Sequence, residues 1–115
     1  MRLNLLVLKT HQLHLLADFY RLLGCTFVYH QHGKGPLHYS CEEEGFVFEI
    51  YPLKDNLNVD TSTRLGFKVA QLDVLMNKLS AQNINIVRPA KQTAFGYVAV
   101  VKDLDGRTIE LTESN

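Results

Sequence analysis

Hydrophobic and polar positions along residues 3–9, LNLLVLK, follow the pattern of a half-buried strand. Leu13, Leu16, Phe19, Tyr20 and Leu23 then recur at helical spacing, and Gly24 stands where a helix-ending glycine belongs. CTFVYHQH, the turn-rich GKGP, LHYSCE, the turn EEEG and GFVFEIYP follow, giving the order strand, helix, strand, strand, strand. The polar run LKDNLNVDTST, residues 53–63, reads as a linker. Beyond it the order returns. RLGFKVA is a strand, and Leu72, Leu75, Met76 and Leu79 form the stripe of a second helix ending near Asn83. INIVR, FGYVAVV, the turn DLDG and RTIELTE complete the second round.

Two βαβββ modules, 1–52 and 64–115, in one domain spanning 1–115 are the simplest account of this order. The halves can be laid over each other, with Leu13 on Leu72, Leu5 on Arg64, Gly45 on Gly106 and Glu49 on Glu110. Alternation then assigns faces. Phe46, Phe48 and Ile50 point toward the helix, which leaves Val47, Glu49 and Tyr51 on the helix-free side. In the second module Leu65, Phe67 and Val69 form the core face, opposite Arg64, Gly66 and Lys68. Both glutamates and Arg64 are therefore expected on helix-free faces.

Folding LHYSC back on GFVFEI through the EEEG turn puts His38 opposite Glu49, and His30 and His32 alternate onto one face of the preceding strand. The HQHGKGPLH cluster has two readings, a solvated hairpin rich in imidazoles or part of a pocket. His11 and His14, near the start of the first helix, are expected at the surface. The same parity sends Tyr39 to the core and Tyr51 and Tyr97 to the concave side, as aromatic walls for a ligand.

Composition narrows the classes. A chain of 115 residues, 46% hydrophobic and 21% charged, builds a core without help and is not disordered. Zero formal charge and the absence of a basic stripe argue against a nucleic-acid partner. No segment is long enough to span a bilayer, and the opening apolar run is too short, broken by Lys9, to be a signal peptide. Cys25 and Cys41 lack metal-ligand spacing and read as small buried thiols in a reducing compartment, so a cytoplasmic location is expected.

With ADFYRLLG early, KDLDGRTIEL late and the doubled βαβββ order, the chain resembles the vicinal oxygen chelate superfamily. That superfamily holds glyoxalases, bleomycin- and fosfomycin-resistance proteins and extradiol dioxygenases. The resemblance covers essentially the whole chain. It implies an α+β fold in which paired modules curl mixed sheets around a concave cleft, holding a divalent metal or a small-molecule ligand, and it implies a homodimer. The ligand positions on the first and last strands correspond to Leu5, Glu49, Arg64 and Glu110. The two glutamates match, but neither a leucine nor a guanidinium can coordinate a metal.

Two carboxylates alone fall short of the three protein ligands usual in catalytic zinc sites. Two arrangements stay open. Arg64 can act as an internal cation for one or both carboxylates, or a divalent metal can be held by Glu49, Glu110 and His38. The resemblance accordingly implies one of two functions. The first is a lyase- or isomerase-like enzyme with Glu49 or Glu110 as catalytic base, with or without a Lewis-acid metal. The second is a metal-free binding or sequestration protein of the bleomycin-resistance type. There Arg64, His38, Tyr51 and Tyr97 would contact the small molecule. Non-ligands at two of four positions argue against the glyoxalase reaction itself, and the missing His, His, Glu iron set argues against extradiol cleavage.

Overall fold

The computed structural model describes residues 1–114; Asn115, the last residue assigned to the second module, lies outside them. Each module forms one four-stranded sheet and one helix. The first contains β1 (Leu5–Thr10), α1 (Leu13–Leu22), β2 (Val28–His30), β3 (His38–Glu43) and β4 (Phe46–Pro52), in the sheet order β1-β4-β3-β2. The second contains β5 (Leu65–Val69), α2 (Leu72–Ala81), β6 (Ile86–Thr93), β7 (Gly96–Lys102) and β8 (Thr108–Glu113), in the order β5-β8-β7-β6. In both, the first strand lies parallel to the last and the remaining neighbours are antiparallel. The architecture is α+β with paired βαβββ modules, as the alternation predicts. The chain divides into two compact units whose main break falls between Val59 and Asp60, inside the expected linker.

Both helices stop by the same device. Gly24 takes φ +114° and lets the Cys25 amide reach back to the Tyr20 carbonyl at 3.1 Å. Asn83 takes φ +59° and the Ile84 amide reaches the Leu79 carbonyl at 3.1 Å. These are the left-handed caps that satisfy otherwise orphaned last-turn carbonyls, and they fall where the sequence places them.

One face of each sheet is buried by its helix. In the first unit Leu8, Tyr39, Cys41, Phe48 and Ile50 are buried, and Tyr20 of α1 meets Phe48 edge-on at 5.0 Å between ring centroids. In the second, Leu72, Leu75, Met76 and Leu79 of α2 are buried, as are Val69, Ala99, Val101, Ile109 and Leu111 of the sheet. No helix among the described residues is long and apolar enough to cross a membrane.

Two expectations change. CTFVYHQH forms a strand only over Val28–His30. The β3–β4 hairpin also sits two residues away from the expected register, so Ser40, and not His38, lies opposite Glu49. The cause is the turn. Glu44 and Gly45 both adopt positive φ, 51° and 80°, which makes them the central pair of a two-residue connection between Glu43 and Phe46. A tight hairpin wants glycine at its second central position, and only this register supplies it. A shift of two preserves parity, so His38 keeps its face.

The β7–β8 turn is a buried ionic knot. Arg107 and Asp103 are both buried, and the Arg107 guanidinium donates to Asp103 Oδ2 at 3.1 Å and Asp105 Oδ2 at 3.0 Å. Asp103 Oδ1 also accepts from the Asp105 and Arg107 amides at 2.9 and 3.0 Å. Burial alone would lower the Arg107 pKa, but the two carboxylates outweigh it and hold the group above its ordinary value. Removing one partner from such a knot strands a buried charge. Arg107→Ala is expected to cost about 3–5 kcal/mol in urea unfolding, whereas a surface cation such as Lys78 replaced by alanine should cost less than about 0.5 kcal/mol.

Both cysteines are free, Cys41 buried and Cys25 half-buried. Burial first, then the neighbouring Cys41, pushes the Cys25 thiol up to about 12. The neutral thiol therefore favours the folded state, with its contribution full below the ordinary pKa of 9.0 and lost as pH rises from there toward 12. Native protein at pH 8 is expected to react with a disulfide reagent far more slowly than protein in denaturant, and stability should fall between pH 9 and 11. Rapid native labelling of Cys25 would contradict this.

Candidate functional site

The helix-free face of each sheet collects the titratable groups. In the first unit, parallel pairing sets Val7 beside Glu49 and Lys9 beside Tyr51. Antiparallel pairing sets Ser40 beside Glu49 and His30 beside His38. The face thus carries one row of Val7, Glu49, Ser40 and Val28, and a neighbouring row of Lys9, Tyr51, His38 and His30. His38 lies diagonally across from Glu49, its Nε2 3.4 Å from Glu49 Oε2. The His38 side chain is only 1% exposed and that of Glu49 only 14%.

Three imidazoles crowd this corner. Ring centroids lie 4.5 Å apart for His30–His38, 4.6 Å for His30–His32 and 5.1 Å for His32–His38. One ligand-capable atom from each of His30, His32, His38 and Glu49 falls within 4.8 Å of all the others. Tyr51 stacks on His38 at 4.0 Å and 10° and fixes the plane of the ring. Burial, then the Glu49 charge, raises the Tyr51 pKa, so its phenol stays neutral in this setting. Within HQHGKGPLH, His38 is buried and His30 half-buried, while His32 stays exposed.

The second unit arranges different chemistry on the corresponding face. Glu110 pairs with Val100, which pairs with Arg88, and Thr112 pairs with Val98, which pairs with Lys91. Arg88 and Lys91 are three residues apart and in a regular strand would point to opposite faces. The register of β6 shifts between them, at Pro89 and Ala90, and this irregularity brings both cations to one side. Proline is tolerated because β6 is an edge strand. A pocket of about 460 Å³ opens on this face, lined by apolar Val87, Val98, Val100 and Phe95 and by Arg64, Arg88, Lys91 and Glu110.

Each expected site residue can now be placed. Glu49 and His38 come together in the first unit, with Tyr51 over the imidazole. Glu110 and Arg64 come together in the second, Arg64 Nη2 lying 3.5 Å from Glu110 Oε2. Their side chains are 45% and 66% exposed, so the pair is no buried substitute for a metal ion. Leu5 is exposed on β1 and offers no ligand atom. The metal set implied by the resemblance therefore does not fit the residues at Leu5, Glu49, Arg64 and Glu110.

Tyr97 is a correction. Val98 and Val100 share the open face with Thr112 and Glu110, so Tyr97 has the parity of buried Ala99 and Val101 and turns toward α2. Its hydroxyl donates to Asp73 Oδ1 at 2.6 Å, and that bond raises its pKa. FGYVAVV is apolar at both parities, so alternation gives no firm basis for the expected concave placement. Tyr39 is buried as expected, and His14 is exposed yet bonds the Tyr39 hydroxyl through Nδ1 at 2.7 Å. Arg88 and Lys91 escaped the sequence reading, although Pro89 inside a strand was the available signal.

No protein-family model and no curated protein matches the sequence. Solved structures do. A glyoxylase/bleomycin resistance protein/dioxygenase domain from a Frankia species superposes with TM-score 0.78 at 17% identity, covering 100% of this chain and 98% of that one. TnmS3, an antibiotic binding protein from a Streptomyces species, gives TM-score 0.73 at 18% identity over 100% and 97% of the two chains. A glyoxalase-related enzyme from Fulvimarina pelagi gives 0.73 at 20% identity over 99% and 88%. The chain thus shares the fold of these three structures, the paired βαβββ arrangement that the sequence resemblance implies.

An ion pair with both partners this exposed contributes about 0–1 kcal/mol. Arg64→Ala is accordingly expected to lower the unfolding free energy measured in urea by no more than that. A loss comparable to that of Arg107→Ala would show that Arg64 is structural.

Proposed function

We propose that the protein binds a small molecule with an anionic group and an apolar body on the helix-free face of the second sheet. The observation that carries the reading is the pocket of about 460 Å³ in which three cations, Arg64, Arg88 and Lys91, face a single carboxylate, Glu110. Its volume falls within the range of ordinary small-molecule sites. Val87, Val98, Val100 and Phe95 offer apolar surface, and the guanidinium groups suit a carboxylate or phosphate that accepts two hydrogen bonds at once.

Further support comes from the misfit between the family's metal positions and the residues filling them. A binding role needs no Lewis acid there. The similar fold of an antibiotic binding protein is compatible with such a role. Within this reading Arg64 and Glu110 tune charge at the pocket mouth, and the ligand's anion competes with Glu110 for the Arg64 guanidinium.

The test is a thermal-shift and calorimetric screen of aryl carboxylates and aryl phosphates against matched neutral compounds, with chelator present. A hit should raise Tm in a concentration-dependent way. Arg88→Ala and Lys91→Ala are each expected to weaken it roughly tenfold, about 1.4 kcal/mol, and added salt should weaken it further. Glu110→Gln should strengthen binding by removing the competing carboxylate. Mass spectrometry of the recovered compound separates sequestration, in which it is unchanged, from turnover. Equal affinity for neutral analogues, or indifference to all three substitutions, would defeat the proposal.

A further inference from the structure

The first unit carries an arrangement that the ligand pocket does not use. His38 Nδ1 lies 3.1 Å from the Pro36 carbonyl. A carbonyl oxygen only accepts, so Nδ1 holds the proton and the neutral ring presents a bare lone pair at Nε2. That lone pair is buried, has no hydrogen-bond partner among the described residues and faces the Glu49 carboxylate at 3.4 Å. His30 Nε2 is likewise buried without a hydrogen-bond partner among the described residues, in a ring 4.5 Å from that of His38. Buried polar atoms left unpaired require an explanation, and an ion is one of the few.

A proton on His38 Nε2 would satisfy Glu49 but not His30. Protonating both rings would place two cations against one carboxylate. A single divalent cation among them accepts every lone pair at once. We propose that His30, His32, His38 and Glu49 form a zinc-class transition-metal site contained within the first module.

The chemistry of the set fits. Three imidazoles and a carboxylate are borderline ligands suited to Zn²⁺. Tetrahedral coordination at about 2.1 Å puts ligand atoms roughly 3.4 Å apart. His38 Nε2 and Glu49 Oε2 already stand at 3.4 Å, and no pair in the set exceeds 4.8 Å, so closing the site asks for side-chain adjustment and not a new backbone. The Nδ1–H bond to Pro36 is the outer contact that fixes a ligating histidine's tautomer, and Tyr51 stacked at 4.0 Å holds the ring plane. Exposed His32 leaves an entry path for the ion. Four protein ligands make a closed site, so the metal would tie β2, the connection after it, β3 and β4 together. Of the four positions implied by the resemblance, only Glu49 takes part, and Glu110 has no role.

The experiment uses the full chain purified without a histidine tag and stripped with chelator, then titrated calorimetrically with Zn²⁺ and spectroscopically with Co²⁺. One ion per chain is expected, with the visible absorption of four-coordinate Co²⁺ and a rise in Tm of several degrees on adding zinc. His32→Ala removes an exposed ligand and should not disturb folding. It and Glu49→Gln should each weaken zinc at least tenfold and abolish the Tm rise, while Glu110→Gln leaves both unchanged. Two results would overturn the assignment. If wild type binds no more tightly than His32→Ala, the corner is a protonated His38–Glu49 pair. If Glu110→Gln abolishes binding, the ion sits elsewhere.

Discussion

A single helix can shield only one face of a four-stranded sheet, and each module has a single helix. Burial of Phe48, Ile50 and Tyr39 on one side of the first sheet obliges Glu49, His38 and Tyr51 to occupy the other, because strand side chains alternate. The same rule in the second sheet sends Ile109 and Leu111 inward and Glu110 out. Parallel pairing of first and last strands then sets Gly66 beside Glu110, where no side chain intrudes between the glutamate and its surroundings. The polar face of each module is thus a consequence of its core, and the residues on it are free to differ.

They do differ. Glu49 and Glu110 occupy equivalent strand positions, yet one side chain is 14% exposed beside an imidazole and the other 45% exposed beside a guanidinium. The surroundings decide what each can do. Around Glu49 the neighbouring groups are lone pairs, which call for a cation. Around Glu110 they are cations, which call for an anion. Under the two proposals made above, equivalent carboxylates would serve opposite electrostatic needs.

Most of this architecture was legible in the sequence, for reasons that particular residues make plain. Phe46, Phe48 and Ile50 alternate with Val47, Glu49 and Tyr51 strongly enough to orient β4, and Gly24 and Asn83 mark helix ends that require left-handed backbone. What resisted reading was whatever depends on turn chemistry or on strands apolar at both parities. Tyr97 went to the wrong face because FGYVAVV has no polar side to exclude. The β3–β4 register hinged on whether Glu43–Glu44 or Glu44–Gly45 made the turn, and the demand for positive φ at both positions settled it. Arg88 and Lys91 converge only through a shift in strand register, which no periodicity announces. The burial of Arg107 was hidden for a simpler reason, since arginine in a turn motif ordinarily reads as surface.

The buried knot of Asp103, Asp105 and Arg107 links these points. Seven-residue patterns such as KDLDGRT look like solvent-facing turns, but here Asp103 spends its oxygens on the amides of Asp105 and Arg107 as well as on the guanidinium. Gly106, at φ +95°, closes the loop without a side chain to clash. With its ends so held, β8 leaves the turn in a defined register, Val101 on Ile109 and Val100 on Glu110. A slip of one residue would carry Ile109 and Leu111 to the open face and bury Glu110. The ionic knot therefore contributes specificity as well as stability: it reinforces the register that burial of Ile109 and Leu111 already demands, the register in which Glu110 lines the pocket.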